Sequence, residues 1–251
     1  MSFDVPGEAY AQFMGRYSEP LAAPFLDVAG ETEGRAVLDV GCGPGALSAH
    51  LLEHAPPSRL AAVDPSEQFV AAATARCPGV EVRLGAAEHL PYADGEFDLA
   101  LAELVVHFMA DPVAGLREMG RVCVPGGTVA ACVWDWRTGA VGPFWDAVHE
   151  IDPAAEAEEN YAGAREGHLA ELFAAAGLSD IVSMPISVTV EHSSFDDWWQ
   201  PYTLGVGPAG DYVAALDPVG RRRLEDVARA RFPDGPFTLT LSAWAARGTV
   251  G

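Results

Sequence analysis

The chain has 251 residues, 49% of them hydrophobic, which is enough for one large domain or a domain with an inserted cap. With 36 acidic against 15 basic side chains, its formal net charge is −21. That balance argues against a nucleic-acid backbone or an anionic membrane surface as the main partner, because both need neutralising cations, and otherwise serves solubility.

All the basic side chains are arginine. The absence of lysine rules out a Schiff base to pyridoxal phosphate and a phosphate-loop lysine. Cys42, Cys77, Cys123 and Cys132 show no C-x-x-C spacing, so no metal site is expected, and Cys42 and Cys132 read as small buried hydrophobes. No apolar run reaches membrane-spanning length, and no charged stretch followed by an apolar one opens the chain. A cytoplasmic location is the expectation.

In chain order, Tyr10, Phe13, Met14 and Tyr17 fall at i, i+3, i+4, i+7, the spacing of one helix face. Pro20 and Pro24 are expected to separate that helix from a second short one carrying Leu21, Phe25, Leu26 and Val28. The segment is either packing for a sheet edge or a lid over a ligand.

Ala36-Val-Leu-Asp-Val-Gly-Cys-Gly-Pro-Gly45 comes next. Val37, Leu38 and Val40 suit a strand buried on both faces, the glycines permit a sharp turn, and helical spacing resumes at Ala46. Strand, glycine turn and helix N-terminus make the first unit of a doubly wound nucleotide-binding sheet. Gly41, Gly43 and Ala46 formally satisfy the dinucleotide pattern G-x-G-x-x-G/A, a weak match on its own. Asp39 breaks the tie: at the strand's end it would repel a pyrophosphate and suit a ligand bearing an ammonium or sulfonium.

Asp39-x-Gly41-x-Gly43-x-Gly45 resembles the binding loop of class I S-adenosylmethionine-dependent methyltransferases. The resemblance implies contact of the cofactor with Asp39, Gly41, Cys42, Gly43 and Gly45. Phe13-Met-Gly-Arg-Tyr-Ser18 is similar to a segment ahead of this loop in small-molecule members, which makes Tyr17 a cofactor contact and Arg16 a clamp for a carboxylate.

Arg59 to Asp64 reads as a second strand ending in an acid, roughly 20 residues beyond the glycine turn, where a carboxylate accepts from both ribose hydroxyls. Pro65-Ser66 then opens a helix, with Asp64 as its alternative N-cap and Pro65 beside the ligand. After a third strand at Val80–Leu84, Gly85-Ala-Ala-Glu-His-Leu-Pro91 resembles the family's adenine loop. The aspartate of that loop is replaced by Ala86, which leaves recognition to Ala86, the Ala87 amide and Glu88.

The fourth strand, Glu96–Ala102, runs out through Glu103-Leu-Val-Val-His107 at the edge where such sheets bind ligands. Spaced i, i+4, Glu103 and His107 would share one face of a helical turn. His107 is the first candidate for general base, since an unperturbed imidazole titrates near neutrality, with Glu103 as second candidate and as a cofactor contact. The other reading of His107 is a side chain that shapes the pocket. Arg121-Val-x-x-Pro-Gly-Gly127 is a further family landmark and bears on fold; it leads to a fifth strand at 128–134.

Beyond it the sequence becomes individual. Asp152 to Glu159 is an acidic loop with no assignable chemistry. A sixth strand is expected near 181–190 and a last one at 237–244. The stretch between them, too long for a structureless hairpin loop, reads as an inserted helical cap containing Arg221-Arg-Arg223, a solvated helix face. Trp134, Trp136, Trp145, Trp198, Trp199 and Tyr202 form either a satellite core or the walls of a pocket that grips a planar or cationic small molecule.

The expected fold is therefore α/β: a doubly wound, Rossmann-like, seven-stranded and mostly parallel sheet with its last strand antiparallel. An N-terminal helical lid spans 1–30, the cofactor-binding core 31–193, the cap 194–232 and the final strand 233–251. The resemblance implies methyl transfer from S-adenosyl-L-methionine to an O or N atom of a small molecule, such as a secondary metabolite, by a metal-free monomer or homodimer. A nicotinamide-dependent oxidoreductase is the alternative, as is a protein that binds S-adenosylmethionine without methylating.

Overall fold

A computed structural model describes residues 11–251. Tyr10, the first of the expected aromatic positions, and the opening part of the expected lid lie outside them.

A π-helical turn at Ala11–Gly15 leads directly into α1 (Arg16–Ala29), which contains both Pro20 and Pro24. The prolines do not split the segment as expected. Each removes one backbone hydrogen bond, at a cost of about 3 kcal/mol in a helix interior. Tyr17, Leu21, Phe25 and Val28 are all buried on the sheet, and at about 1.5–3 kcal/mol per large apolar side chain that burial offsets the loss.

The core alternates strands and helices: β1 (Ala36–Val40), α2 (Ala46–His54), β2 (Arg59–Asp64), α3 (Glu67–Arg76), β3 (Glu81–Leu84), β4 (Phe97–Glu103), α4 (Pro112–Val122) and β5 (Cys123–Trp134). There follow α5 (Gly142–Ile151), α6 (His168–Ala175) and β6 (Ser179–His192). The chain then forms α7 (Phe195–Trp199), α8 (Gly207–Ala215) and α9 (Pro218–Arg229) before closing with β7 (Phe237–Thr249). Helix α8 begins at Gly207 in a glycine-rich stretch, where Pro208 at its first positions is already set for helical φ.

The seven strands lie in the order β3-β2-β1-β4-β5-β7-β6. The pairs β1–β2, β2–β3, β1–β4 and β4–β5 are parallel, and β7 is antiparallel to both β5 and β6, as the sequence led us to expect. Edge strand β6 carries Pro185 in its middle, a residue with no N–H to offer a ladder.

Side-chain alternation fixes the two faces. Val37, Leu99 and Leu101 pack under α1 and α2. Leu38, Val40, Ala100 and Ala102 face the opposite way, onto Leu116 and Met119 of α4 and Phe173 of α6. A third apolar cluster joins α5 to the segment between β6 and β7. After β1 the chain builds outward through β2 and β3, then returns to place β4 on β1's other side. The carboxyl ends of β1, β2 and β4 consequently open onto one crevice, at the point where the winding reverses.

Candidate active site at the carboxyl edge of the sheet

The glycine turn is stitched to β2 by the amides of Gly41 and Cys42, which both donate to the Val63 carbonyl, at 2.7 and 3.1 Å. Gly41 adopts φ +70°, and a Cβ there would lie 2.5 Å from the methyl groups of Val105, so this glycine serves internal packing. Gly43, at φ +53°, has open space where a side chain would stand. It is the glycine that leaves room for a ligand. Cys42 packs against Ala62 and Ala73, so only its backbone is available to the crevice.

Asp39 does not point into that space. It is buried, and its Oδ2 accepts from the Ser48 hydroxyl at 2.6 Å. Burial pushes its carboxyl up to about 7, against the Ser48 hydrogen bond and with help from the Asp64 charge.

Asp64 stands at the tip of β2. Its Oδ2 accepts from the Gly43 amide and its Oδ1 from the Ser66 amide, both at 2.9 Å. Burial raises its carboxyl and these two bonds oppose the shift. Each oxygen keeps a second acceptor site, enough for two hydroxyl donors. The N-cap of α3 is Ser66, which accepts from Phe69, and Pro65 beside it is exposed.

In the loop after β3, Ala86 is exposed and Ala87 buried. Glu88 is committed elsewhere: its Oε1 accepts from the amides of Ala110 and Asp111, at 2.7 and 3.2 Å, and so braces the start of α4. That engagement argues against an adenine contact by Glu88.

The expected helical face shared by Glu103 and His107 does not form. Strand β4 ends on Glu103, Leu104 takes φ +61°, and Val106–Phe108 makes one 3-10 turn. Oε1 of Glu103 is buried and has no hydrogen-bond partner among the described residues. Burial, with the nearby carboxylates of Asp39 and Glu19, holds its pKa well above the ordinary value. His107 stacks on Tyr161 at 5.9 Å, and its Nδ1 is likewise buried without a partner. Burial lowers its pKa to about 3, which removes the premise for a general base titrating near neutrality.

His107 lines a narrow cavity that opens to solvent at its mouth. Leu104, Phe108 and Trp134 contribute from the ends of β4 and β5, Phe13 and Met14 from the N-terminal turn, and residues 206–209 from the segment between β6 and β7. Among the described residues, Glu158 is the other ionisable group on its wall. Of the six aromatic residues expected there, Trp134 alone lines this cavity. Trp145, Trp198, Trp199 and Tyr202 are buried in the satellite core, where Phe144 stacks on Tyr202 at 4.6 Å. Trp136 packs on the main core, with the Arg137 guanidinium over its ring.

Arg16 is also engaged away from any ligand. It donates to Asp197 Oδ1 at 3.0 Å and to the Asp197 carbonyl at 3.1 Å, and lies 3.1 Å from His192 Nδ1. These bonds tie α1 to α7, so the guanidinium is not free to clamp a carboxylate. Tyr17 is buried beside it, in the core under α1.

Sequence reasoning missed Leu104, Glu158 and 206–209 as site residues. Glu158 sits among other glutamates in an alanine-rich stretch, and nothing in the pattern distinguishes it. Gly207-Pro208 was the one local signal for the last group.

The open face of Gly43, the free acceptor sites of Asp64 and the orphaned Glu103 oxygen fit a polyhydroxylated ligand with a cationic end. Residues 38–131 match a family pattern described as a methyltransferase domain. The chain is 35% identical over 119 residues to a demethylmenaquinone methyltransferase of Beutenbergia cavernae, covering 47% of this chain and 48% of that protein. It is 37% identical over 97 residues to a malonyl-[acyl-carrier protein] O-methyltransferase of Erwinia billingiae, covering 39% and 38%. The chain thus spans half or less of the length of these curated relatives. In fold it is similar to a geranyl diphosphate C-methyltransferase of Streptomyces coelicolor solved with S-adenosyl-L-homocysteine, with a TM-score of 0.52 at 15% identity, over 94% of this chain and 80% of that one. The matched segment runs from β1 into β5 and contains the glycine turn, so this part of the sheet is similar to a methyltransferase domain, and the strand order shows the corresponding fold.

Proposed function

We propose that this chain transfers a methyl group from S-adenosylmethionine to an oxygen or nitrogen atom of a small molecule. One juxtaposition carries the reading: Asp64 and the open side of Gly43 share the carboxyl edge of the sheet with the apolar cavity beyond Leu104. Bound over the turn, S-adenosylmethionine would supply a methyl group already activated by its sulfonium. Asp64 accepts from the ribose hydroxyls, while the buried carboxyls of Asp39 and Glu103 bias the turn toward a cation.

What remains for the protein is to align donor and acceptor and to exclude water. The N-terminal turn and the 194–232 segment both contribute to the cavity wall, and in this reading they act as lid and cap. His107, held neutral, shapes the cavity wall and does not remove the acceptor's proton. Isothermal titration tests the proposal: S-adenosylhomocysteine should bind, and NADH should not compete. Failure of S-adenosylhomocysteine to bind would overturn it.

A further inference from the structure

We infer that the methyl acceptor is a small apolar amine, and that Glu158 is the group that recognises its ammonium and takes one proton from it, so that the freed nitrogen lone pair accepts the methyl group and the sulfonium leaves as a neutral thioether. The inference rests on the methyltransferase reading and narrows it to a substrate class. Glu158 opens the 3-10 turn Glu158–Asn160 and reaches the cavity wall, where most of its neighbours are apolar: Phe13, Phe108, Trp134 and Val206 among them. No arginine lines this cavity, and Glu158 forms no ion pair among the described residues. Glu158 is half-buried, and its carboxylate has no counter-charge among the described residues of this wall.

Burial raises its carboxyl to about 7, only partly countered by the Trp145 indole beside it. The group is therefore held between its two protonation states at neutral pH, and an ammonium would complete its ionisation. Each alternative ligand charge fits less well. A carboxylate or phosphate would face Glu158 with no arginine among the described residues of the wall, in a chain of formal charge −21. A hydroxyl could donate to Glu158 but would leave its charge uncompensated. Phe13 and Trp134 on the same wall suit an apolar body.

The test uses three probes that share one ring and differ at one end: 2-phenylethylamine, 2-phenylethanol and phenylacetate. Each is titrated calorimetrically into protein saturated with S-adenosylhomocysteine. The amine should bind about ten-fold more tightly than the alcohol, and phenylacetate should not bind. Glu158→Gln should bring amine and alcohol within about two-fold of each other at unchanged S-adenosylhomocysteine affinity, while Glu158→Asp keeps part of the preference. Absence of amine binding, equal binding of amine and alcohol, or a preference surviving in Glu158→Gln would overturn the inference. Any of these in protein that still binds S-adenosylhomocysteine leaves the methyltransferase reading standing. Loss of S-adenosylhomocysteine binding by the unmodified chain would sink both.

Discussion

Ser48 of α2 donates to Asp39 of β1 across 2.6 Å, closing the two ends of the glycine turn, and both side chains are shut away from solvent. Burial outweighs that bond, so Asp39 titrates near 7 in the folded chain, against an ordinary value of 3.8. An acid raised in this way binds its proton more tightly folded than unfolded. Its stabilising contribution is complete below the unfolded value and is lost as pH rises through the folded one. Asp39→Asn removes this titration. Between pH 4 and pH 8 the variant should gain on the unmodified protein by roughly 2 kcal/mol or more in urea unfolding. Parallel stability curves would show that Asp39 does not titrate as described.

Asp64 holds the tips of β1 and β2 together through Gly43 and keeps an acceptor site on each oxygen. Asp64→Ala should weaken S-adenosylhomocysteine binding by about 1–3 kcal/mol, the range for lost charge-assisted hydrogen bonds. Calorimetry measures this directly, and unchanged affinity would remove Asp64 from the site.

With its pKa lowered to about 3, His107 stays neutral throughout the working range. His107→Gln should lower turnover more than cofactor affinity, yet leave the shape of the pH–rate profile between pH 5 and 8 unchanged. Disappearance of an inflection near neutrality in the variant would restore the general-base assignment.

Arg16 joins α1 to α7 through Asp197. Arg16→Ala should lower stability by about 1–2 kcal/mol while S-adenosylhomocysteine affinity stays within two-fold. A large loss of cofactor affinity without loss of stability would make it a ligand clamp after all.

The sheet was legible because its signals are local and repeated. Apolar runs such as Val37–Val40, each followed by turn residues and helical spacing, specify buried parallel strands wherever they occur. The site was legible only where backbone geometry leaves a mark, as at Gly43, or where an acid ends a strand, as at Asp64. Side-chain destinations were not. Arg16 and Asp197 are far apart in the chain, so no spacing could show that they pair. Trp198 and Tyr202 look alike in sequence whether they wall a pocket or fill a core, and here they fill one. The left-handed Leu104 breaks the i, i+4 argument for Glu103 and His107, and a leucine gives no warning of that conformation.

Pro185 has one more consequence. Strand β6 offers its outer margin to solvent, and a continuous row of free amides there would invite a neighbouring chain to add on. The proline interrupts that row, and at the far margin β3 is four residues long and carries the Glu81–Arg83 ion pair. Neither rim is a template for growth, so two copies of this protein would meet through helices and loops and not by lengthening the sheet.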